Sequence, residues 1–294
     1  MAYVLSGCSP ADLTLEQFQR RDIKCIYFHV MLGGKDMIDD LGQSMPLHDF
    51  YQAMVDGAET RTSQMNVDGY ISHFEPFLQA GLDVVHVCLS SGISNTVNSA
   101  RQAAEQLKQT YPDRTVNIID SLAASSGYGL LLDLMADKRD EGLSLEELTA
   151  WAEENKLLIH HWFFSTDLTF YIRGGRVTKT AGFIGQLLNI CPLLNVDYMG
   201  RLIPRDKIRT KRKVIQEIEK RMEQHAAGGL DYDGKCIISH SDCYADAKAL
   251  ADLIESRFPR LKGKVLINMI GTTIGAHTGP GTVALFFVGD RRVD

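Results

Sequence analysis

The chain lacks closely spaced cysteine pairs. No two of the six stand in a CxxC arrangement; they are Cys8, Cys25, Cys88, Cys191, Cys236 and Cys243. Disulfide frameworks and cysteine-rich zinc modules depend on such pairs. We therefore expect free thiols that pack as small apolar side chains. Cys236, His240 and Cys243 have a metal-like spacing but lack a fourth ligand, so we expect no metal.

Long hydrophobic runs are absent too. No segment reaches the roughly 18 consecutive apolar residues that a transmembrane helix needs, and the N-terminus lacks the basic and apolar regions of a secretory signal. We expect a cytoplasmic protein without a stable membrane anchor. A transient encounter with a membrane is the one membrane interaction that this leaves open. The net charge of −6 also disfavours nucleic acid as a partner.

Motifs for cofactor binding are missing as well. The chain contains neither a GxGxxG nor a GxxxxGK[ST] nucleotide loop, so we expect no cofactor. The stretch Asp231 to Gly234 is similar to the start of a calcium loop. A strand-like run, Lys235 to Ser239, stands where the remaining calcium ligands belong.

Short apolar runs alternate with amphipathic segments through the first half of the chain. The apolar runs predict strands near Tyr3 to Leu5, Ile23 to His29, Val84 to Leu89 and Thr115 to Ile119. The amphipathic segments predict helices near Leu47 to Asp56, Asn66 to Gln79, Ser94 to Thr110, Ala124 to Asp137 and Ser144 to Leu158. This βαβα rhythm is typical of α/β proteins, and we predict a three-layer α/β/α domain with a mainly parallel sheet over residues 1–158.

The pattern changes after residue 158, where we place a domain boundary. Residues 159–294 predict a two-layer α/β domain with a mixed sheet. The predicted strands are Ile159 to Phe164, Pro192 to Asp197, Arg201 to Pro204, Lys235 to Ser239, Lys264 to Met269 and Val283 to Val288. The predicted helices are Phe183 to Asn189, Ile208 to His225 and Ala245 to Phe258.

The stretch Arg201 to Arg221 is strongly basic in an otherwise acidic protein. Such a run is most often a solvated helix face. The alternative is a docking patch for an acidic partner or a phosphate, extended by Arg173 and Arg176. A regulatory module that binds an acidic or nucleic-acid partner through this stretch is therefore one hypothesis.

Three turns rich in hydroxyl groups stand out. They are Thr62-Ser63-Gln64, Ser90 to Thr96, and Ala276 to Thr282, in which His277 accompanies two glycines and a proline. Hydroxyls and free amides beside a helix start bind anions, but they also cap helices, and both roles are open for the first two turns. Ser94 with His277 also raises a hydrolase or acyl-transfer enzyme as an alternative. Against it, the chain has no GxSxG motif and no evident acid to orient the histidine.

At these turns the chain resembles the DegV family of bacterial fatty-acid-binding proteins. Six motifs occur in the family's order: Thr62-Ser63-Gln64, Ser90 to Ala100, Asp120-Ser121 with Ser125 to Gly129, Gly174 to Val177, Lys207 to Lys211, and Gly275 to Thr282. An ordered set spread over nearly the whole chain is far more specific than any one motif.

The resemblance implies a non-catalytic protein that holds one long-chain fatty acid in a tunnel between two domains. The carboxylate is then expected at Thr62, Ser94 and His277, with supporting contacts from Ser63, Gln64, Asn95, Thr96, Thr278 and Gly279. Family members of this kind present the acyl carboxylate to a separate fatty acid kinase, which phosphorylates it for phospholipid synthesis. The kinase contact is expected at Arg173, Arg176 and Arg209.

The chain departs from the family pattern in two places. The family's Asp-Ser turn after the first strand is replaced by Ser6 to Asp12, so an aspartate contact there is lost or shifts to Asp12. Asn95 stands where the family has glycine, which alters the loop if the backbone needs a positive φ there.

Overall fold

The computed structural model describes residues 2–178 and 190–293, so the predicted helix Phe183 to Asn189 lies outside the described residues. The strands in these ranges are β1 (Tyr3–Cys8), β2 (Ile23–Ile26), β3 (His29–Leu32), β4 (Lys35–Ile38), β5 (Thr60–Ser63), β6 (Asp83–Cys88), β7 (Val116–Asp120), β8 (Ile159–Ser165), β9 (Ile190–Val196), β10 (Leu202–Arg209), β11 (Ile237–His240), β12 (Leu266–Met269) and β13 (Thr282–Val288). The α-helices are α1 (Leu15–Arg20), α2 (Leu47–Val55), α3 (Val67–Gln79), α4 (Thr96–Thr110), α5 (Ser125–Asp140), α6 (Leu145–Asn155), α7 (Thr169–Arg173), α8 (Lys211–His225), α9 (Tyr244–Arg257) and α10 (Thr272–Thr278). Within the same ranges, none of the helices combines the length and apolar character needed to span a bilayer.

The first half of the chain is built on a four-stranded parallel sheet, sheet A, in the order β2-β1-β6-β7. Consecutive side chains of a strand point to opposite faces of its sheet. Ser6 of β1 contacts His73 of α3, with 2.7 Å between the serine Oγ and the histidine Nε2. The adjacent Gly7 packs against Leu132 of α5. Helices therefore cover both faces, and the predicted three-layer α/β/α arrangement is confirmed.

A small antiparallel sheet, sheet B, follows β2 and was not predicted from the sequence. Its order is β4-β3-β5. The predicted strand Ile23 to His29 breaks because the Phe28 N–H donates to Ser9 Oγ, at 3.1 Å, and not to a neighbouring strand. Gly33 and Gly34 then form the tight turn between β3 and β4, with φ values of 55° and 83° that glycine adopts at little cost.

The second half forms a six-stranded mixed sheet, sheet C, in the order β10-β9-β8-β13-β11-β12. Only β11 and β12 pair in parallel among these strands. Along β8, Trp162 and Phe164 pack in a core with residues of α8 and α9. His161 and Phe163 point to the other face, toward the first half of the chain. Helices α8 and α9 thus cover one face, and the predicted two-layer mixed-sheet arrangement is confirmed.

Two predictions for local structure were wrong. The basic helix begins at Lys211, because Ile208 and Arg209 belong to β10 and pair with β9. The supposed turn from Ala276 contains the end of helix α10 and leaves the helix only at Gly279, whose φ is 67°.

The strands before the expected domain boundary and those after it belong to different sheets, but elements from the two sides pack against each other. The strands of sheets A and B precede residue 159, and those of sheet C follow it. Helix α10 nevertheless packs on sheet B and α2. Thr60 Oγ1 donates to the Ala276 carbonyl at 3.1 Å, and the Tyr51 hydroxyl donates to the Ile270 carbonyl at 2.9 Å. The boundary between residues 158 and 159 stays a prediction.

Candidate functional site

A cavity lies between the two halves of the chain. Its walls are mostly apolar and include Phe28, Leu89, Ile93, Phe163, Leu202, Ile274 and Phe286. Ligand pockets for small molecules combine apolar walls with a few polar groups. The cavity therefore suits one largely apolar molecule.

Thr62 and His277 meet at this cavity although 215 positions separate them in sequence. Thr62 Oγ1 lies 2.8 Å from His277 Nε2, so one of the two atoms donates a hydrogen bond to the other. Thr60 and Thr62 lie on the same face of β5, because side chains alternate along a strand. Both contact α10, the first through the Ala276 carbonyl and the second through His277. Sheet B, which the sequence did not predict, is thus the element that brings Thr62 to the histidine.

Helix α7 packs closely against α10 beside His277. A Cβ atom on Gly174 would lie 2.5 Å from His277 Nδ1, so only glycine fits next to the imidazole ring. A Cβ on Gly279 would lie 2.1 Å from the ring of Phe170. These two glycines let the backbone approach the aromatic rings and hold His277 in one position.

His277 is uncharged at neutral pH in the unliganded protein. Burial lowers its pKa to about 4, and the nearby Arg176 guanidinium lowers it as well. Arg176 lines the same cavity, is half-buried, and donates to the Gly174 carbonyl at 2.6 Å. Among the described lining residues it is the one permanent cation. The sequence prediction placed Arg176 at a kinase contact, whereas the structure places it beside the predicted carboxylate site.

Ser94 lines the cavity on the loop between β6 and α4. Its Oγ accepts the Thr96 N–H at 3.4 Å and lies 3.3 Å from Thr96 Oγ1. Helix α4 begins at Thr96 with Asn95 as its cap residue, so Ser94 lies before the cap position. Asn95 has a φ of −93°, a value open to any residue, so the loop does not require the glycine of the family pattern.

The structure also separates the two roles that were open for Thr62-Ser63-Gln64. Thr62 and Ser63 lie in β5, and α3 is capped by Asn66, whose side chain accepts the Gly69 N–H at 2.8 Å. Helix capping is therefore not the function of this turn.

The predicted supporting residues divide into two groups. Ser63, Gln64 and Thr278 line the cavity. Asn95 is exposed and its side chain bonds to that of Asn98, while Gly279 packs on Phe170. Thr96 is fully buried at the start of α4. The last three stand next to lining residues without lining the cavity themselves.

Sequence reasoning missed other lining hydroxyls and most of the apolar wall. Ser125 and Thr273 line the cavity, and Ser125 Oγ donates to the buried Asp12 carboxyl. Asp12 also accepts the Gly271 N–H at 2.9 Å and is not among the residues that line the cavity, so the predicted shift of the family's aspartate contact to Asp12 stays a prediction. The motif Ser125 to Gly129 was a usable signal for Ser125. Apolar residues such as Phe28 and Ile274 carry no signal that separates them from ordinary core residues.

The arrangement of Ser94 and His277 does not match a hydrolytic site. In residues 2–178 and 190–293, no hydrogen bond joins Ser94 to His277, and no carboxylate contacts the imidazole. A serine nucleophile needs a base within hydrogen-bond reach and a group that orients that base. The histidine Nε2 is instead engaged with Thr62.

Arg173 and Arg209, the other predicted kinase contacts, are both exposed. The guanidinium of Arg173 lies 5.6 Å from the ring centre of Phe170, and Arg209 ends strand β10. Their role in partner docking stays a prediction.

The fold and the cavity define a class of protein, an α/β protein with two sheet-based halves and a largely apolar cavity between them. The sequence profile of the DegV family, described as uncharacterised proteins, matches residues 9–290. The chain belongs to the DegV family, as the sequence motifs indicated.

Relatives and solved structures agree over the full length. A DegV domain-containing protein of Clostridium perfringens is 34% identical over 294 residues, covering 99% of this chain and 98% of the relative. A DegV family protein of Thermus thermophilus, described for its fatty acid binding, is 27% identical with a TM-score of 0.86; the match covers 98% of this chain and all of that one. The Streptococcus pneumoniae fatty acid kinase B3 protein, loaded with linoleic acid, has the same fold at 20% identity, with a TM-score of 0.84 and coverage of 99% and 100%.

Proposed function

We propose that this protein binds one long-chain fatty acid in the cavity between its halves and presents the carboxylate to a fatty acid kinase. The observation that carries the proposal is the meeting of Thr62 and His277 at one cavity, with Ser94 and Arg176 also in its lining. The protein acts in this proposal as a carrier and not as an enzyme.

The apolar wall supplies the affinity for the acyl chain. Each CH₂ group removed from water contributes about 0.8 kcal/mol, so a chain of about sixteen carbons gains on the order of 12 kcal/mol before the costs of binding. A long acyl chain therefore fits the chemistry of these walls better than a short one.

The polar end of the cavity offsets the desolvation of a carboxylate. An ionised carboxylate loses several kcal/mol when it leaves water unless charged or strong donors replace its hydration. Arg176 supplies the charge, while Thr62, Ser94 and the neutral His277 supply hydrogen bonds. In this assignment Arg176 replaces the histidine as the cationic partner of the headgroup.

Lipid extraction from the purified full chain is the first test. Mass spectrometry should recover about one fatty acid per chain, or the stripped protein should take up one equivalent of oleate. Purified protein that contains no fatty acid and takes up none would rule out the carrier function.

A headgroup comparison tests the carboxylate site itself. We expect the protein to bind oleate more tightly than oleyl alcohol, and Arg176→Met and Thr62→Val each to weaken oleate binding by about ten-fold or more. Thr110→Val, at the exposed end of α4, is the matched control and should leave oleate binding unchanged. Equal affinity for acid and alcohol in the unaltered protein would place the carboxylate elsewhere and leave lipid binding intact.

Kinase presentation rests on the family resemblance and on the exposed arginines. We expect Arg209→Glu to reduce acyl phosphate formation by a bacterial fatty acid kinase that accepts this carrier, with bound fatty acid unchanged. Lys262→Glu, the same charge reversal at another exposed position, should have no effect. Equal loss in both variants would point to net charge and would remove Arg209 from the docking surface.

A further inference from the structure

Three side chains with metal-binding atoms meet on the face of sheet C that α8 covers. His160 Nε2 lies 2.9 Å from Asp290 Oδ1, and His225 Nδ1 lies 3.1 Å from the same oxygen. All three atoms lie within 4.8 Å of one another. We refer to His160, His225 and Asp290 as the His-Asp cluster.

The spacing of these atoms is close to that of a tetrahedral zinc site. Zinc bonds nitrogen and carboxylate oxygen at about 2.0–2.1 Å, which places neighbouring ligand atoms of a tetrahedron about 3.3 Å apart. The two distances to Asp290 Oδ1 need to grow by only a few tenths of an ångström. The imidazole rings of His160 and His225 are stacked, with centres 4.9 Å apart and 21° between their planes, so one ring has to turn for both nitrogens to point at one ion.

Backbone hydrogen bonds hold the three ligands in place. The Asp290 N–H donates to the His225 carbonyl at 2.9 Å, and the Gly289 N–H donates to the Leu158 carbonyl at 2.8 Å. A Cβ on Gly289 would lie 2.3 Å from the His225 carbonyl oxygen, so glycine is required for this close approach. The C-terminal segment is thereby fixed to both β8 and the end of α8. To bind an ion, His160 Nε2 has to give up its 2.8 Å contact with the Asp290 carbonyl oxygen.

The cluster is open to solvent and distinct from the acyl cavity. It borders a cleft on the α8 side of the sheet, whereas the adjacent His161 of β8 faces the cavity between the two halves of the chain. The His160 side chain is only 7% exposed, but that of Asp290 is 63% exposed, so an ion can enter from that side.

Cationic side chains in the same cleft limit the affinity. Arg292 is buried, and its guanidinium donates to the carbonyls of Val196, Asp197 and Leu122. Arg205, Arg221 and Arg291 also line the cleft. Nearby positive charge disfavours a divalent cation. We therefore expect weaker binding than in a closed site with four protein ligands.

We propose that the His-Asp cluster binds a divalent transition-metal ion of the zinc type and pins the C-terminal segment to β8 and α8. Two histidines and one carboxylate, with a remaining position for water, form a donor set that suits Zn²⁺. His225 and His160 are 65 and 130 positions from Asp290 in the sequence, so the three residues do not form a recognisable sequence motif. This inference does not depend on the proposed lipid function.

Zinc titration of the full chain, first treated with a chelator, tests the proposal. We expect one Zn²⁺ per chain by calorimetry and a higher melting temperature with Zn²⁺ than without it. His225→Asn should weaken zinc binding by more than about ten-fold. Removing a residue that only hydrogen-bonds to a metal ligand already lowers metal affinity by about that much, and removing the ligand itself lowers it further. Asp290→Asn should weaken zinc binding by a similar factor. It replaces His225→Asn in the test if that variant fails to fold.

The matched control is His48→Asn. His48 is an exposed histidine that pairs with Asp242 at 2.9 Å but belongs to no group of three metal-binding side chains among the described residues. It should keep wild-type zinc binding, and fatty acid content should be the same in all these proteins. The absence of stoichiometric binding in the unaltered chain, or binding unaffected by both cluster variants, would overturn the proposal.

Discussion

Asp12 is buried where the segment after β1 meets helix α10, and its surroundings disfavour its charge. Burial raises its pKa to about 8; the hydrogen bonds from Ser125 and Gly271 oppose this rise, and the nearby Asp39 carboxyl adds to it. An unfolded aspartate titrates near about 4. Asp12 is therefore protonated in the folded protein at pH 7 and ionised in the unfolded chain.

Replacing Asp12 tests this residue's contribution to stability. A raised folded-state pKa gives stability that is full below the unfolded pKa and is lost as pH rises through the folded value. We expect Asp12→Asn to gain stability relative to the unaltered protein when pH rises from about 6 to about 9. Thermal unfolding at both pH values measures the difference, and parallel pH dependences would contradict the assignment.

The low pKa of His277 changes what is expected of the carboxylate site. If a protonated His277 held the carboxylate, the affinity would weaken as pH rises through the histidine pKa. Because His277 has a pKa of about 4 and Arg176 is permanently charged, we expect oleate affinity to change little between about pH 7 and about pH 9. Calorimetry at both values is the measurement; a fall of more than about ten-fold would show that the ligand protonates the histidine.

At the scale of elements, α7 and α10 control the position of the imidazole. Gly174 has a φ of −72°, so alanine there meets no backbone strain, yet its methyl group would overlap His277 Nδ1. The neighbouring Gly175 has a φ of 72° with open space around it. The two glycines therefore separate steric displacement of His277 from local backbone strain.

We expect Gly174→Ala to weaken oleate binding by about ten-fold, because it moves His277 away from Thr62. Gly175→Ala should lower stability by about 1 kcal/mol and leave oleate binding nearly unchanged. Binding calorimetry and thermal unfolding of both variants provide the comparison. Equal losses of binding would mean that the whole α7 region, and not the ring contact, is responsible.

Over the whole molecule, several histidines are buried without a charge. Burial lowers the pKa of His73, His160 and His277 to about 4 each. A depressed folded-state pKa gives stability that is present above the unfolded value, near about 6.5, and is lost as pH falls toward the folded value. The fold should therefore lose stability progressively between about pH 6.5 and about pH 4.

Denaturant unfolding at about pH 7 and about pH 4.5 tests this expectation. Between these pH values the histidines bind protons in the unfolded chain but stay neutral while buried in the folded protein. His73→Gln should reduce the loss of stability on acidification. Gln102→Asn, at an exposed position without a titratable group, should leave it unchanged. An identical loss in both variants would show that other groups control the acid response.

Elements with strong local signals were predictable. The apolar runs of β1, β6 and β8 and the amphipathic helices α4 and α9 appear near their expected positions because their patterns do not depend on distant residues. The four-residue strands of sheet B and the seven-residue helix α10 were missed. Such short elements are stable only through tertiary packing, here between Thr60, Thr62 and the α10 backbone and side chains.

The sequence by itself determined the family, the alternation of strands and helices, and the chemical groups at the site, because these depend on residue types and their local order. Only the tertiary structure decided that Thr62 touches His277, that Arg176 lies in the cavity, and that His160 and His225 converge on Asp290. Distances between remote residues, and the burial that shifts their pKa values, arise from the packing of the whole chain and are not encoded in any single segment.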